Sequence, residues 1–473
     1  MKHSYVKGVA ASLAAALIVS LAGCSSDGGR LLSTVPSGAR VVAEVNADAL
    51  LREAGCRVEG NNVTLSASLD SLLASDAGAA AVVRDFVTSG TVDLRSVVWF
   101  SMDSESVVMT AGLEDADAFR GRMEAEGAQW SGDGDFDVAV MPSGKATVVI
   151  RDSQLWVCDG HKDASYIEDI LAKADDKPID KVPGVAKALK RDGQVRVVAA
   201  VGNALGKLYD KPEYQDCWLT GALNAKGAIL GLDMGIVASD GKKLEFASGL
   251  DKIDPGFLDF MSPHDVIVAA VGVDGDTNWP AVVTALSSRM SRGDAMTLSA
   301  LTPYLSKIDG TLAVGISPVG GAPRLSSVSS ETLAITVVAK MKRGQASKVA
   351  DDIRSFLAKS HMPMDEDGDM TQAVTPMGTF RFGERDGYFI ATNREMLGSG
   401  ARGLETRFSG KRLGVCADVA YGSGLMRSIG LPFGLTATLT STDDAATAKV
   451  ELAGVSGSIL EALIAEAAKN SAR

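Results

Sequence analysis

The feature that most constrains the fold of this 473-residue chain is a set of short matches that recur at one constant spacing. Arg151-Asp152 lies between two runs of β-forming residues, and Arg385-Asp386 lies between two similar runs 234 positions later. The same spacing relates Asp133-Gly134-Asp135 to Asp367-Gly368-Asp369. Self-similarity at a fixed spacing is typical of repeated structural units. The sequence therefore predicts two copies of one domain.

The two copies are predicted to span residues 35–255 and 260–470, with the turn-forming Asp254-Pro255-Gly256 near their junction. Each copy alternates short strands with a few amphipathic helices, and Asp386-Gly387 is a typical two-residue hairpin turn. Hairpins produce antiparallel pairing, and no regular strand–helix–strand alternation is visible. We therefore predict an α+β fold, with two tandem copies of a mainly antiparallel sheet and amphipathic helices packed on one face.

The N-terminal residues resemble the signal of a bacterial lipoprotein. An apolar stretch follows Lys7 and closes with Leu21-Ala22-Gly23-Cys24. This pattern implies a signal peptide over residues 1–23, lipid on Cys24 and a flexible tether over residues 24–34. An anchor helix and a plain secretory signal are the alternatives. Ser25 is typical of an outer-membrane lipoprotein, so we expect a cell-envelope protein that faces either the periplasm or the cell surface, held by its lipid chains.

Charge and cysteine content narrow the possible partners. The formal net charge is −12, and removal of residues 1–23, which contain two lysines and no acidic residue, makes it −14. Such a surface repels phosphate backbones, so no nucleic-acid partner is expected. Four further cysteines are widely spaced without a C-x-x-C motif: Cys56, Cys158, Cys217 and Cys416. We expect buried free thiols, with a single disulfide as the alternative.

The acidic turns are the best candidates for a chemical site. Asp133 and Asp135, and likewise Asp367 and Asp369, place two carboxylates around a glycine, and carboxylate oxygens are ligands for Ca²⁺. Asp and Gly are also the usual residues of a solvated turn. These four aspartates are therefore candidate metal ligands, and they are also the candidate carboxylates of a hydrolase.

No other catalytic motif is visible. The chain has no G-x-S-x-G, no H-E-x-x-H and no glycine-rich phosphate loop, so we predict no catalytic residue and no cofactor. His161, His264 and His361 lie at predicted turns. Trp130 and Trp279 lie near predicted loops and are candidates for an exposed contact surface.

The opening Val35-Pro36-Ser37, the strand-like run that ends at Val45, the lipoprotein signal and the duplicated units resemble a family of envelope lipoproteins from anaerobic Gram-negative bacteria. That family is uncharacterised and is described as a domain of unknown function. The resemblance implies a location and an architecture, and it implies no activity.

Our leading hypothesis is a lipid-anchored envelope protein of non-enzymatic type, which binds or scaffolds an envelope protein or a glycan. The hypothesis rests on a duplicated fold without a catalytic constellation. One alternative is an envelope hydrolase that acts on glycan or peptide through carboxylates. The other alternative is a calcium-dependent adhesin.

Overall fold

The computed structural model describes most of the chain after residue 27. The described residues are 28–74, 84, 86–103, 106–133, 135–140, 146–159, 164–209, 211–245, 247, 249–287, 290–318, 333–375, 378–394, 400–420, 433–455 and 457–471. The predicted signal peptide 1–23, the predicted lipidation site Cys24, and His161 lie outside them. None of the helices in the described part of the chain is both long and apolar enough to cross a bilayer.

The described elements are short helices and many strands. The helices are α1 (Gly28–Leu32), α2 (Ala47–Glu53), α3 (Ala67–Ala74), α4 (Ala116–Ala125), α5 (Ala164–Asp176), α6 (Pro183–Leu189), α7 (Gly202–Tyr209), α8 (Trp279–Ser287), α9 (Arg292–Leu305), α10 (Gln345–Lys359), α11 (Glu405–Phe408) and α12 (Ile459–Ser471). The strands are β1 (Val41–Val45), β2 (Arg57–Glu59), β3 (Asn62–Thr64), β4 (Val92–Ser101), β5 (Val107–Leu113), β6 (Gln129–Asp133), β7 (Phe136–Val140), β8 (Ala146–Arg151), β9 (Gln154–Asp159), β10 (Val195–Ala200), β11 (Cys217–Lys226), β12 (Ile229–Ala238), β13 (Lys243–Leu244), β14 (Leu250–Asp251), β15 (Ile267–Val273), β16 (Ile308–Pro318), β17 (Leu333–Met341), β18 (Met364–Asp367), β19 (Met370–Thr375), β20 (Gly378–Arg385), β21 (Tyr388–Thr392), β22 (Leu413–Val419), β23 (Gly434–Ser441) and β24 (Ala445–Ala453).

The chain divides into two compact units. The first unit comprises Met1–Leu244 and Val455–Arg473, and the second comprises Glu245–Gly454. Helix α12 therefore belongs to the first unit, although the sequence placed residues up to 470 in the second copy. The physical reason is apolar burial, because Ile459, Leu460 and Ile464 are buried and α12 packs with α2 and α3.

The first unit contains a large antiparallel sheet in the order β6-β7-β8-β9-β5-β4-β1-β10-β11-β12-β13. Strand β1 lies between β4 and β10, and Val42 faces the same side of the sheet as its partners Phe100 and Val198. That side forms a core with α5 and α6, to which Ile167 and Val185 contribute.

On the opposite side of this sheet, Val41 and Leu219 are 41% and 42% exposed, whereas the other end of β1 is covered. Val45 and Val97 are fully buried there, and α2 contacts β4. Helix α2 starts where the Asn46 side chain accepts a hydrogen bond from the backbone N–H of Ala49, as is typical of a helix N-cap. Helices thus lie against both faces of the first sheet, whereas the sequence predicted helices on one face.

The second unit contains an antiparallel sheet in the order β18-β19-β20-β21-β17-β16-β15-β22-β23-β24, and the short β14 pairs with the end of β15. One side of this sheet carries Val268, Val338 and Ile390 in a core with Phe257 and Phe408. The other side packs against α10 at one end only, where Ala346 and Val349 contact Ala339 and its neighbours. The predicted α+β class with antiparallel pairing is confirmed.

Several local predictions are also confirmed. The turn Arg151-Asp152 joins β8 to β9, and Asp386-Gly387 joins β20 to β21. Both aspartates adopt the left-handed backbone conformation, with φ of 53° at Asp152 and 54° at Asp386. Asp tolerates this region better than most residues. Phe356 of α10 follows the buried Val349 by seven residues, a spacing that predicts burial, yet its side chain is 68% exposed.

A glycine sets the close approach of β14 to β15. A Cβ atom at Gly272 would clash with the backbone carbonyl of Asp251, and backbone atoms cannot move aside like a flexible side chain. We expect Gly272→Ala to lower the free energy of unfolding by about 1–3 kcal/mol, as overpacking does. Gly293→Ala is the control, since no atom lies within 4 Å of a Cβ at that position. Chemical denaturation of both variants checks this, and equal stabilities would contradict it.

Candidate functional site

One candidate surface is a side of the second unit's sheet. Register places twelve apolar side chains on this side, and all are partly exposed. We call them the open face: Ile267, Ala269, Val271, Leu312, Val314, Ile316, Ile335, Val337, Leu413, Val415, Ala417 and Leu439. Contiguous exposed apolar surface of this kind is typical of an interaction site.

The open face contains a groove of about 390 Å³. The groove crosses β17, β16, β15 and β22, and its lining consists of Ala269, Ala270, Val271, Leu312, Ala313, Val314, Val337, Leu413, Gly414 and Val415. No polar side chain contributes to this lining. Each of the four strands is paired on both sides, so their backbone polar groups are directed into the sheet.

The helices next to the groove leave it open. Helices α8 and α9 form the connection between β15 and β16, and α9 contains no buried residue. Val283 of this hairpin is buried, and Trp279 and Leu305 pack against the cluster that also contacts Val271 and Leu312. Met296 and Leu301 of α9 remain 68% and 47% exposed.

A second, polar cavity of about 210 Å³ lies in the first unit. Its charged lining residues are Arg30, Asp93, Arg95 and Glu114. Arg95 forms ion pairs with Asp93 at 2.9 Å and with Glu114 at 3.4 Å, so these charges offset one another within the cavity. Ser96 also lines it, but no histidine does, so a Ser–His pair for nucleophilic catalysis is lacking in this lining.

A buried carboxyl group lies on β1 of the first unit, outside the lining of the polar cavity. Glu44 on β1 faces Arg196 on β10, with 3.4 Å between carboxylate oxygen and guanidinium nitrogen. Burial raises the pKa of Glu44 to about 7, and burial also lowers the pKa of Arg196. Arg196 donates a hydrogen bond to the carbonyl oxygen of Leu189, which ties β10 to α6. The pair is part of the core and is not in the lining of the polar cavity.

The acidic turns are the tips of two hairpins. Asp133 ends β6 and Asp135 lies in the turn to β7, while Asp367 ends β18 and Asp369 lies in the turn to β19. The side chain of Asp369 is engaged by Arg385, which donates two hydrogen bonds of 2.6 and 2.7 Å. These bonds lower the pKa of Asp369. Among the described residues, no group of three or more His, Cys, Asp or Glu side chains is placed to hold a metal ion.

The remaining candidates lie apart from one another. His264 and His361 lie in turns, and Trp130 is half-buried with its indole N–H donating to the carbonyl oxygen of Arg120.

No disulfide joins the four cysteines described, all of which are buried. Burial raises the pKa of Cys217 to about 11, so this thiol stays protonated at neutral pH. Of the predicted contact residues, Trp279 alone adjoins the open face.

Sequence reasoning did not find the open face. The available signal was β15, whose seven residues Ile267–Val273 are all apolar or glycine. Such a run predicts a strand buried on both sides. Whether helices cover both sides depends on packing elsewhere in the unit, so the sequence pattern could not reveal that one side stays open.

The raised pKa of Glu44 predicts a specific dependence of the free energy of unfolding on pH. Its pKa rises from 4.5 in the unfolded chain to about 7 in the folded one, so between these values the folded state retains a proton that the unfolded state releases. The contribution of Glu44 to the free energy of unfolding should therefore be fully present below pH 4.5. It should be lost as the pH rises to 7, by about 3 kcal/mol at most. Glu44→Gln should remove this component. Denaturation of both proteins at several pH values checks it, and parallel pH profiles would contradict it.

The contact between Asp369 and Arg385 predicts the outcome of a calcium titration. Its carboxylate already accepts two hydrogen bonds from Arg385, so a cation would have to displace the guanidinium group. We expect calorimetry to detect no Ca²⁺ binding that depends on Asp369, so the wild type and Asp369→Asn should give the same heats. An Asp369-dependent binding heat would instead support the calcium-dependent adhesin.

Comparisons with known proteins give little further information. No protein-family model matches the chain, and no curated protein matches it. Part of the chain is similar to a solved structure titled "Structure of crystal form I of TP0453", with 16% sequence identity and a TM-score of 0.29. The similarity covers 46% of this chain and 81% of that chain.

Proposed function

We propose that this chain is a lipid-anchored protein of the cell envelope that binds an apolar partner through the open face, without enzymatic chemistry. The observation that carries the proposal is the open face itself. Contiguous apolar patches on folded proteins often mark interaction sites, and all twelve side chains of this patch are partly exposed. The lining of its groove holds no nucleophile, base or carboxylate.

The proposed anchor rests on the sequence. Leu21-Ala22-Gly23-Cys24 matches a lipoprotein signal, and Ser25 is typical of outer-membrane retention. Lipid on Cys24 would hold the chain to a membrane because each buried CH₂ contributes about 0.8 kcal/mol. In this proposal the protein is an outer-membrane lipoprotein of the envelope family that its opening residues resemble.

The proposal includes an internal duplication. It is supported by strand order, since β1, β4, β5 and β10 of the first unit occupy the same places in their sheet as β15, β16, β17 and β22 in theirs. It is also supported by the matching hairpins at Asp152 and Asp386. If the copies diverged from one ancestor, the difference between them indicates where a function was added.

The two copies differ in the helices that pack against one side of the sheet. In the first unit the segment between β1 and β4 contains α2 and α3, which bury Leu50, Leu51, Leu69 and Leu73. In the second unit the corresponding segment is the hairpin of α8 and α9, in which Val283 of α8 is buried and α9 has no buried residue. The second unit thus has a helix without buried residues where the first unit has helices with a buried apolar face, although Val41 and Leu219 on that side of the first sheet are exposed too.

A fluorescent apolar dye tests the proposed binding surface. We expect Nile red to bind the full chain, and Val314→Glu to weaken binding at least tenfold because it places a charge in the groove. Val374→Glu is the matched control, since Val374 is 47% exposed on β19 of the same unit, away from the open face. Equal binding by the wild type and both variants, at unchanged thermal stability, would contradict the proposal.

Labelling with a radioactive fatty acid tests the anchor. We expect the label in the wild-type protein and its absence from Cys24→Ala, which should also leave the membrane fraction. Ser25→Ala is the control and should remain labelled. Labelled Cys24→Ala protein would contradict lipidation at this residue.

A further inference from the structure

We infer that the groove of the open face holds the single hydrocarbon chain of a lipid whose head group is zwitterionic or uncharged. This inference rests on the proposed function and names the class of partner. Its basis is the chemistry of the groove lining, the shape of the groove and the charge of the protein.

The shape follows from side-chain size along one row of the sheet. Val337, Val314, Ala269 and Val415 lie side by side on four neighbouring strands. Ala269 is the shortest of them and lies near the middle, so the row has a hollow between valines. Four strands span about 14 Å at the usual strand spacing. The groove of about 390 Å³ is at the small end of ligand sites, which suits one chain better than two.

The lining excludes most polar occupants. A peptide or a glycan carries N–H, C=O or O–H groups, and each such group costs free energy when it is buried without a partner. No side chain in the groove can provide that partner, and the strands β15, β16, β17 and β22 already pair on both sides. A hydrocarbon chain has no polar group, so no hydrogen bond to water is lost when it enters the groove.

A second copy of the protein fits the groove less well. Two copies that meet face to face would bring two hollows together at Ala269, and the gap would forfeit the close packing that stabilises protein interfaces. A flexible chain can follow the hollow instead. Self-association through the open face is therefore an outcome that the experiment must be able to detect.

Charge decides the head group. The full chain carries a formal net charge of −12. A negatively charged head group would be repelled, whereas a zwitterionic or uncharged one would not. The expected ligand is thus a single-chain lipid such as a monoacyl glycerophospholipid.

Titration with lysophosphatidylcholines of increasing chain length tests the inference. The full chain is produced with Cys24→Ala so that no attached lipid competes, and concentrations stay below those at which micelles form. We expect affinity to rise about fourfold for each added CH₂ from the decanoyl to the myristoyl lipid, because hydrocarbon burial scales with area. The fatty acid of equal chain length should bind more weakly at pH 7.

A variant that fills the hollow locates the site. Ala269→Phe adds a ring where the chain would lie, so we expect it to weaken lysophosphatidylcholine binding at least tenfold. The Val374→Glu control should bind like the parent protein. Circular dichroism and thermal melting must show that both variants remain folded, and Val314→Glu serves as the second groove variant if Ala269→Phe does not fold.

The outcomes separate the inference from the proposed function. If Nile red binding depends on Val314 but lysophosphatidylcholine binds without dependence on chain length or on Ala269, the inference is overturned and the proposed function stands. If the dye does not bind at the open face, the proposed function fails. A dimer in sedimentation that Ala269→Phe dissociates would identify a second copy as the occupant and overturn the lipid assignment.

Discussion

Both units depend on a central strand that is paired on both sides. Strand β1 lies between β4 and β10, and β15 lies between β16 and β22. Pairing on both sides satisfies the backbone N–H and C=O groups in the plane of the sheet. The faces of the sheet then become the only surfaces left to cover. Because β15 is apolar on both faces, the second unit has two apolar surfaces and must find a cover for each.

The two units cover these faces to different degrees, and in the first unit too one face leaves Val41 and Leu219 exposed. In the first unit, Val45 and Val97 are fully buried on one face while Val42 and Phe100 are buried on the other. In the second unit, only one face is covered throughout, by residues around Phe257 and Phe408. The other face is covered at the end where α10 packs and is left partly exposed over the rest. Leaving aliphatic side chains in water costs stability, at about 25 cal/mol per Å² of apolar area. A binding function gives a physical reason for that cost.

The local structure was predictable wherever one residue type or one short pattern determines it. Asp152 and Asp386 indicated their hairpins, because few residues tolerate the left-handed conformation that such turns require. The strand-like run that ends at Val45 indicated β1, which spans Val41–Val45. Phe356 shows the limit of this approach, since its spacing matches the buried face of α10 while its ring is exposed. Spacing alone does not define how wide the buried stripe of a helix is.

The site itself depended on features that no local pattern encodes. The open face exists because α9 has no buried residue, and a helix with apolar side chains gives no sign in its sequence that it will remain unburied. Glu44 is a similar case, because its raised pKa arises from neighbours on other strands and not from its own segment. The acidic turns were prominent in the sequence, yet at Asp369 the structure pairs the carboxylate with Arg385.

The proposed anchor and the proposed groove rest on the same physics, which is the removal of hydrocarbon from water. A lipid on Cys24 would transfer its chains into a bilayer, and the groove would transfer the chain of another lipid onto protein. Single chains exchange between water and membranes much more readily than pairs of chains, because each CH₂ adds to the retention. A protein fixed at a membrane and carrying a groove for one chain is therefore placed where monoacyl lipids are most concentrated. In this scheme the groove needs only modest affinity, since the anchor already holds it beside its ligand.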